Sequence, residues 1–456
     1  MQITGIIAEY NPFHNGHAYQ IDQCRKMGAD YIIVVMSGNY VQRGEPAILD
    51  KYSRARIALE HGADLVLELP VGYSVNSAQT FAYTGVNLLH QLGCVTHLCF
   101  GCENPDKIKE LAFPIYQIFE QENNFAHFIQ KHLKNGHSYA KSRLKAALEY
   151  SGWAVEKQKK YEAILSKPNN ILALSYEIAL LQMQSRMKPI PIQRLGAAYH
   201  DAALATPSSA TSTQMQHTNI TIQDIRTHND TSTNTQSPIQ NIPILPSATG
   251  IRKILLEMNH FDSACLQPFL PPAALNVMQD IYQTYFPVEM QDFSPALLMC
   301  LLQFTEEQAC NILDMSPSLW NRIKNNLTDY TDYLSFIDTC QSRTFPYSRI
   351  RRALLHALLN IKTAKQQQWI KQGIHFYIRP LGFRKQSTDL LSCIKKNSSL
   401  PILSKLADYK TTLAETPEGI QMIEEEYRCD TLYRLISQAK FGQIQPDSFS
   451  RELVLL

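Results

Sequence analysis

Two imidazoles bracket an asparagine and a glycine in His14-Asn15-Gly16-His17, just after the apolar run 3–8 and a short segment holding Pro12. Side chains of this type donate hydrogen bonds to phosphate oxygens. When an anionic nucleophile attacks an α-phosphate in line, charge builds on those oxygens in the transition state, and fixed donors stabilise it by roughly a few kcal/mol each. A carboxylate is already anionic, so such a site needs neither an activated nucleophile nor a strong base. If 3–8 is a strand and the histidines open a helix, the helix N-terminus adds a favourable dipole and unpaired backbone N–H groups. Gly16 then lets a base or ribose approach the backbone. The same spacing suits a zinc pair, but no third ligand follows in a sensible place. Structural histidines are the plainer alternative, and the position directly after a first strand favours the nucleotide site. His14 and His17 are therefore candidate catalytic residues.

A second element, Ser247-Ala248-Thr249-Gly250-Ile251-Arg252, opens an apolar helix at 251–258. Ser247 and Thr249 are candidate phosphate contacts, and Arg252 a catalytic cation for the β- and γ-phosphates of a leaving pyrophosphate. An ordinary Ser/Thr helix cap is the competing reading.

The elements that must position these groups are legible. Runs 3–8, 31–36, 64–69 and 95–100 are short and continuously apolar, as in strands buried on both faces. Helix-length segments 16–27, 51–61 and 77–92 separate them. This alternation predicts an α/β fold with a doubly wound parallel sheet, whose ligands bind beyond the carboxyl ends of the strands. The loops to inspect are 9–15, 37–46, 70–76 and 101–105. Loop 37–46 carries Ser37, Gly38, Asn39, Gln42, Arg43 and Glu45, more polar groups than a plain connection needs, and is expected on the substrate side. Lys51 and Arg54 in the next helix either neutralise phosphate or form a solvated face.

Residues 106–184 read as helical and 189–195 as a further strand. From 206 to 246 the chain is rich in Ser, Thr, Asn, Gln and Pro and has no aromatic residue, so it cannot bury enough apolar surface to order itself. Helical periodicity dominates from 247 onward. The expected division is 1–202 as a catalytic domain, 203–246 as a flexible insertion, 247–265 as a second phosphate-binding element, and 266–456 as a separate α-rich domain.

The 456 residues carry a net charge of only +2, so a nucleic-acid partner has to be argued locally. Between Arg343 and Lys405 there are 13 Lys or Arg against one acidic residue, Asp389. Arg349, Arg351, Arg352, Arg379, Arg384 and Lys385 are candidate RNA contacts. Tyr347, Trp369, Tyr377 and Phe383 are interleaved with them, and residues 374–378 look strand-like. Such a patch suits a single-stranded loop, gripped by phosphates and stacked by rings; the alternative places the rings in a core. Cys94, Cys99 and Cys102 have part of an iron–sulfur spacing, but Cys99 lies in a predicted buried strand and packing is favoured. No leader precedes the first strand and no stretch is long enough to span a bilayer, so a cytoplasmic protein is expected.

Further strings carry a family resemblance: Ala8-Glu9-Tyr10-Asn11-Pro12-Phe13-His14-Asn15-Gly16-His17, then Met36-Ser37-Gly38-Asn39-Tyr40-Val41-Gln42-Arg43-Gly44-Glu45-Pro46-Ala47, and Phe100-Gly101-Cys102-Glu103. Ser166-Lys167-Pro168-Asn169-Asn170-Ile171-Leu172 and Arg194-Leu195-Gly196-Ala197-Ala198-Tyr199-His200-Asp201 continue it. With the HxGH and S-x-T-x-I-R elements, the chain resembles the tRNA(Met) cytidine acetate ligase family of the HIGH-motif nucleotidyltransferase superfamily. The resemblance is dense over the first 200 residues or so and looser beyond 247. It departs at Cys102, where the family usually has serine, and in the long insertion after Asp201.

The resemblance implies that acetate attacks ATP to give acetyl-adenylate, and that the acetyl group passes to N4 of the wobble cytidine of elongator tRNA(Met). It also implies ATP contacts at Ile7-Ala8-Glu9-Tyr10-Asn11-Pro12-Phe13-His14-Asn15-Gly16-His17-Ala18-Tyr19-Gln20, Gly101, Asn169 or Asn170, and Arg194. Mg2+ is expected with ATP, without an assignable protein ligand. Two other readings compete: a transferase that adenylylates a phosphorylated metabolite, and a tRNA-binding protein without catalysis.

Overall fold

The computed structural model describes residues 1–135, 137, 139–194 and 247–456. The insertion expected at 203–246, and the string after Arg194, lie outside the described residues.

The parallel strands of the first hundred residues are almost wholly buried, and their side chains divide between two cores. Ile33 and Val35 of β2 (Tyr31–Ser37) join one apolar cluster with Ile3 and Ile7 of β1 (Ile3–Ala8), while Ile32, Val34 and Met36 join another with Ile6 and Ala8. This is the period-two geometry of a strand covered on both faces. β1 pairs in parallel with β2 and with β6 (His97–Cys102), β2 with β5 (Leu65–Leu69), and β6 with β7 (Lys188–Gln193). A small hairpin, β3 (Tyr40–Val41) with β4 (Glu45–Pro46), lies between β2 and β5 in sequence. The helices α1 (Asn15–Lys26), α2 (Lys51–Glu60), α3 (Ala78–Gln91) and α4 (Pro168–Gln182) fall close to the predicted segments.

The full sheet order is β7-β6-β1-β2-β5-β8-β9, with β8 at Pro380–Phe383 and β9 at Val454–Leu455. The chain leaves β1 toward β2 on one side and returns to β6 on the other, so the topological switch point lies between β1 and β6. β8 runs antiparallel to β5, and β9 parallel to β8. This corrects the expected boundary at 266: part of the C-terminal region completes the sheet. The strand there is Pro380–Phe383 and not 374–378, whose side chains are buried around a single bridge from Ile378 to Ile402.

The C-terminal helices share a third core with the first domain's loops. Tyr40, Val71 and Val75 pack among Phe293, Trp320, Ile350 and Tyr433. Three later helices matter for the site: α5 (Ala248–Glu257), α6 (Tyr347–Leu359) and α7 (Pro417–Phe441). Among the described residues no helix is long and apolar enough to cross a membrane.

Candidate nucleotide site

The loop after β1 is set by packing. Tyr10 sits at φ 49°, a left-handed backbone unusual for a bulky residue. Its buried ring holds it there, 4.7 Å from the Phe13 ring and 4.8 Å from that of His17. His14 is the N-cap of α1: its Nδ1 accepts from the Gly16 N–H at 3.0 Å. His17 answers, its Nδ1 accepting from the His14 N–H at 3.2 Å, and the two rings stack with centroids 3.8 Å apart.

This reciprocal cap decides the chemistry of both imidazoles. With each Nδ1 occupied as an acceptor, the neutral tautomer carries its proton on Nε2. Burial and the Arg194 guanidinium press His14 down to about 4, and burial with the neighbouring His14 and Arg194 holds His17 well below its ordinary range. At neutral pH the pair is therefore two uncharged Nε2–H donors. One expectation is corrected here. The first-turn N–H groups are not free for an anion, because Asn15 N donates to Phe269 O at 2.9 Å, Gly16 N to His14, and His17 N to His14 O at 2.8 Å. Donation to phosphate falls to the imidazoles. Gly16 is also required from within, since a Cβ there would meet the His14 ring at 2.9 Å.

A pH signature follows. Because its folded pKa is depressed, His14 supports stability fully above its ordinary value of 6.5, and that support erodes as pH falls toward about 4. Nucleotide-dependent turnover is expected to stay level between roughly pH 6 and 8 rather than titrate as an ordinary histidine would near 6.5. A pH–rate profile with an inflection at that ordinary value would contradict the neutral pair.

Arg252 reaches the same loop from α5. Its Nη1 donates to Asn11 O at 2.8 Å, one Nη2 contact goes to Thr249 Oγ1 at 3.4 Å, and Nη2 pairs with Glu45 at 2.9 Å. Ser247 is the helix cap, accepting from Gly250 N at 3.3 Å. The two motifs, more than 230 positions apart, thus meet at Asn11. Across the switch point, Arg194 N donates to Cys102 O, placing its side chain beside Gly101, and Arg194 Nη1 lies 3.5 Å from Asn169 Oδ1. Asn169 also donates to Glu103 at 2.6 Å.

Other predicted residues are brought close but have structural work. Asn170 is fully buried: its Oδ1 accepts from Glu103 N and Asn104 N, and its Nδ2 donates to Asn104 Oδ1 and Ile164 O, so of the two asparagines only Asn169 has capacity left. Ile7, Ala8, Tyr10, Pro12, Phe13 and Ala18 are buried wall residues. Asn15 binds Pro268 O, and Gln20 binds Cys99 O. Tyr19 packs partly buried against the second core, and Glu9 accepts from Gln42 N at 2.7 Å, its carboxyl pushed up by burial.

Loop 37–46 is mostly a wedge against the C-terminal helices rather than a substrate surface. Ser37, Gly38 and Asn39 are buried, and Asn39 donates to Asp430 Oδ1 at 2.9 Å. Gln42 Nε2 binds Asn76 O at 2.6 Å. Arg43 is exposed, and it interacts electrostatically with Glu9, Glu45 and Arg194. Of the loop it alone keeps a charged group open to the site. Neither expectation for Lys51 and Arg54 holds, since both are buried: Lys51 pairs with Glu68 at 2.5 Å and with Asp430, and Arg54 donates to the carbonyls of Glu9, Ser37, Gly38 and Leu49.

The basic patch divides. Arg379 is buried and paired with Glu68 at 2.8 Å, which removes it as an RNA contact; Trp369 and Tyr377 are buried core rings. Arg384 and Lys385 follow Phe383, which pairs with Leu65 at the start of β5, so they lie at the opposite end of the sheet from the site. Arg349, Arg351 and Arg352 on α6 do lie near it, because the backbone of Arg351 and Arg352 touches Gly44. Arg352 pairs with Asp314 at 2.8 Å and Arg351 with Glu45, whereas the Arg349 Nε is buried without a partner. Sequence reasoning had missed Glu45 as the residue that ties this helix to Arg252, although it stands within the string Gly44-Glu45-Pro46.

Comparison with known proteins gives the family. The family model described as HIGH Nucleotidyl Transferase matches residues 1–242 and 213–447. A tRNA(Met) cytidine acetate ligase of Acetivibrio thermocellus is 32% identical over 413 residues, 90% of this chain and 89% of the relative. One from Clostridium kluyveri is 34% identical over 408 residues, 89% and 90% of the two chains. The crystal structure of Thermotoga maritima TmcAL bound with alpha-thio ATP superposes with a TM-score of 0.82 at 28% identity, covering 100% of both chains. By that family model and these relatives, the chain belongs to the HIGH nucleotidyl transferase family and, within it, to the tRNA(Met) cytidine acetate ligases.

Proposed function

We propose that this protein is a cytoplasmic ATP-dependent ligase that acetylates N4 of the wobble cytidine of elongator tRNA(Met). An acetate oxygen attacks the α-phosphorus of ATP, the bond to the β-phosphate oxygen breaks, and pyrophosphate leaves. The Nε2–H groups of His14 and His17 stabilise the charge on the α-phosphate oxygens, and Arg252 faces the leaving pyrophosphate. The cytidine amine then attacks the acetyl carbonyl, the bond to AMP breaks, and the amine gives up one proton. The observation that carries this reading is the reciprocal cap, which fixes two neutral imidazoles as donors beside Arg252.

For Mg2+ the donor set does not supply a cage. The one three-carboxylate group among the described residues, Glu68, Glu426 and Asp430, is buried; Glu68 and Asp430 are already paired with Lys51 and Arg379, and Glu426 Oε2 accepts from Val71 N at 2.7 Å. No step is assigned to a protein-held ion.

On the RNA side, Arg349 is the residue on α6 best placed to hold a phosphate, since among the described residues its guanidinium makes no ion pair at contact distance, Asp314 acting on it only as a nearby charge. The test is acetate-dependent exchange of labelled pyrophosphate into ATP, followed by acetylation of tRNA(Met). Exchange indifferent to acetate would favour adenylylation of a phosphorylated metabolite. Arg349→Glu is expected to cut tRNA acetylation about tenfold or more while changing tRNA-free exchange less than about twofold. Equal loss of both would remove Arg349 from the RNA surface.

A further inference from the structure

We propose that Glu45 is a positioning residue for the adenylation step, and that Arg351 serves that step by holding Glu45 rather than by contacting RNA. This rests on the nucleotide-site reading above and extends it to a residue of the C-terminal helices.

Glu45 gives each of its oxygens to a different guanidinium. Oε1 lies 2.9 Å from Arg252 Nη2 and accepts from Asn11 Nδ2 at 3.4 Å, while Oε2 is taken by Arg351 Nη2. A carboxylate held by both oxygens cannot swing with either partner, so the plane and reach of Arg252 are set from α6. All three side chains are largely shielded from solvent, at 14% exposure for Glu45 and 16% for each arginine. An RNA phosphate would have to break this shielded pair to reach Arg351.

The backbone fixes the spacing. Gly44, at φ +79°, lies so close to α6 that a Cβ would come within 2.7 Å of Arg352 N and 2.9 Å of the Arg351 carbonyl carbon. The hairpin β3–β4 therefore sits on the helix at backbone contact, and Glu45 follows directly. Three arginines, Arg252, Arg351 and Arg43, face Glu45, and Glu9 is the other carboxylate near them, so the group keeps an excess of positive charge. An excess of that sign suits a polyphosphate, with Glu45 limiting how far Arg252 can move toward it.

The test is a double-mutant cycle read by calorimetric binding of ATP and of adenosine, without tRNA. Arg351→Gln is expected to weaken ATP about five- to tenfold and to leave adenosine unchanged. In a Glu45→Gln background the same change should do nothing further, and Arg351→Lys should recover part of the loss. A merely structural role would shift adenosine and ATP together. Unchanged ATP affinity in Arg351→Gln with loss of tRNA acetylation, or additive effects in the cycle, would overturn the proposal. Failure of the ligase reading is separate: it would appear as absent acetate-dependent exchange in the wild type, whatever the cycle gives.

Discussion

Replacing His17 with alanine lowers acetate-dependent exchange of pyrophosphate into ATP by about two to three orders of magnitude. The change deletes one of two preorganised donors, which alone accounts for an effect of that order. It also removes the acceptor for the His14 N–H and the ring stacked at 3.8 Å on His14, so the remaining imidazole loses its orientation. The fold should survive, because a lost helix cap costs only about 1 kcal/mol and Tyr10 keeps its ring contact with Phe13. Urea denaturation of the variant should therefore show a normal, slightly earlier transition. A loss in exchange below about tenfold, with the protein folded, would mean that His17 does not act on the phosphate.

The second large effect is on stability. Lys51→Met is expected to destabilise the protein by about 3–5 kcal/mol, read from the urea midpoint. Lys51 lies at 1% exposure between Glu68 and Asp430, each at 2%, with Arg379 beside them at 4%. Glu426 shares the cluster; burial and the charge of Glu68 push its carboxyl well above the usual range, so Lys51 and Arg379 chiefly serve Glu68 and Asp430. Removing the ammonium leaves a buried carboxylate under-compensated, and no water can reach it cheaply. Because Lys51 and Glu68 come from the sheet domain while Asp430 and Glu426 come from α7, the same substitution loosens the C-terminal helices. A midpoint shift worth less than about 1 kcal/mol would show that the cluster is not a strut.

The ends of α2 and α7 explain why part of this molecule was legible beforehand and part was not. Continuous apolar runs specify strands buried on both faces whatever surrounds them, so β1, β2, β5 and β6 and the helices between them were readable from local pattern. The position of His14 and His17 was equally local: a strand, a turn and a helix start within 15 residues. β8 was not readable, because Pro380-Leu381-Gly382-Phe383 is four residues long and pairs with a strand more than 300 positions away. The helical character of α7 was readable, but not the role of its buried polar residues Glu426 and Asp430, because the groups they meet, Lys51, Glu68 and the Val71 N–H, lie more than 350 positions away.

The same distinction sorts the charged residues. Sequence by itself determined the chemistry available: two imidazoles of fixed spacing, a second Ser/Thr/Arg helix start at 247–252, and a local excess of Arg and Lys. Only the tertiary structure decided which charges remain free, because a cation is committed or uncommitted according to carboxylates brought from distant segments. Lys51, Arg54 and Arg379 are consumed in the interior, Arg351 and Arg352 are paired at its edge, Arg349 lies near the charge of Asp314, and Arg43 is left exposed. Desolvation makes that outcome unavoidable, since a buried charge persists only where an opposite charge or a set of hydrogen-bond acceptors is folded against it, and which groups do so is decided by the tertiary structure.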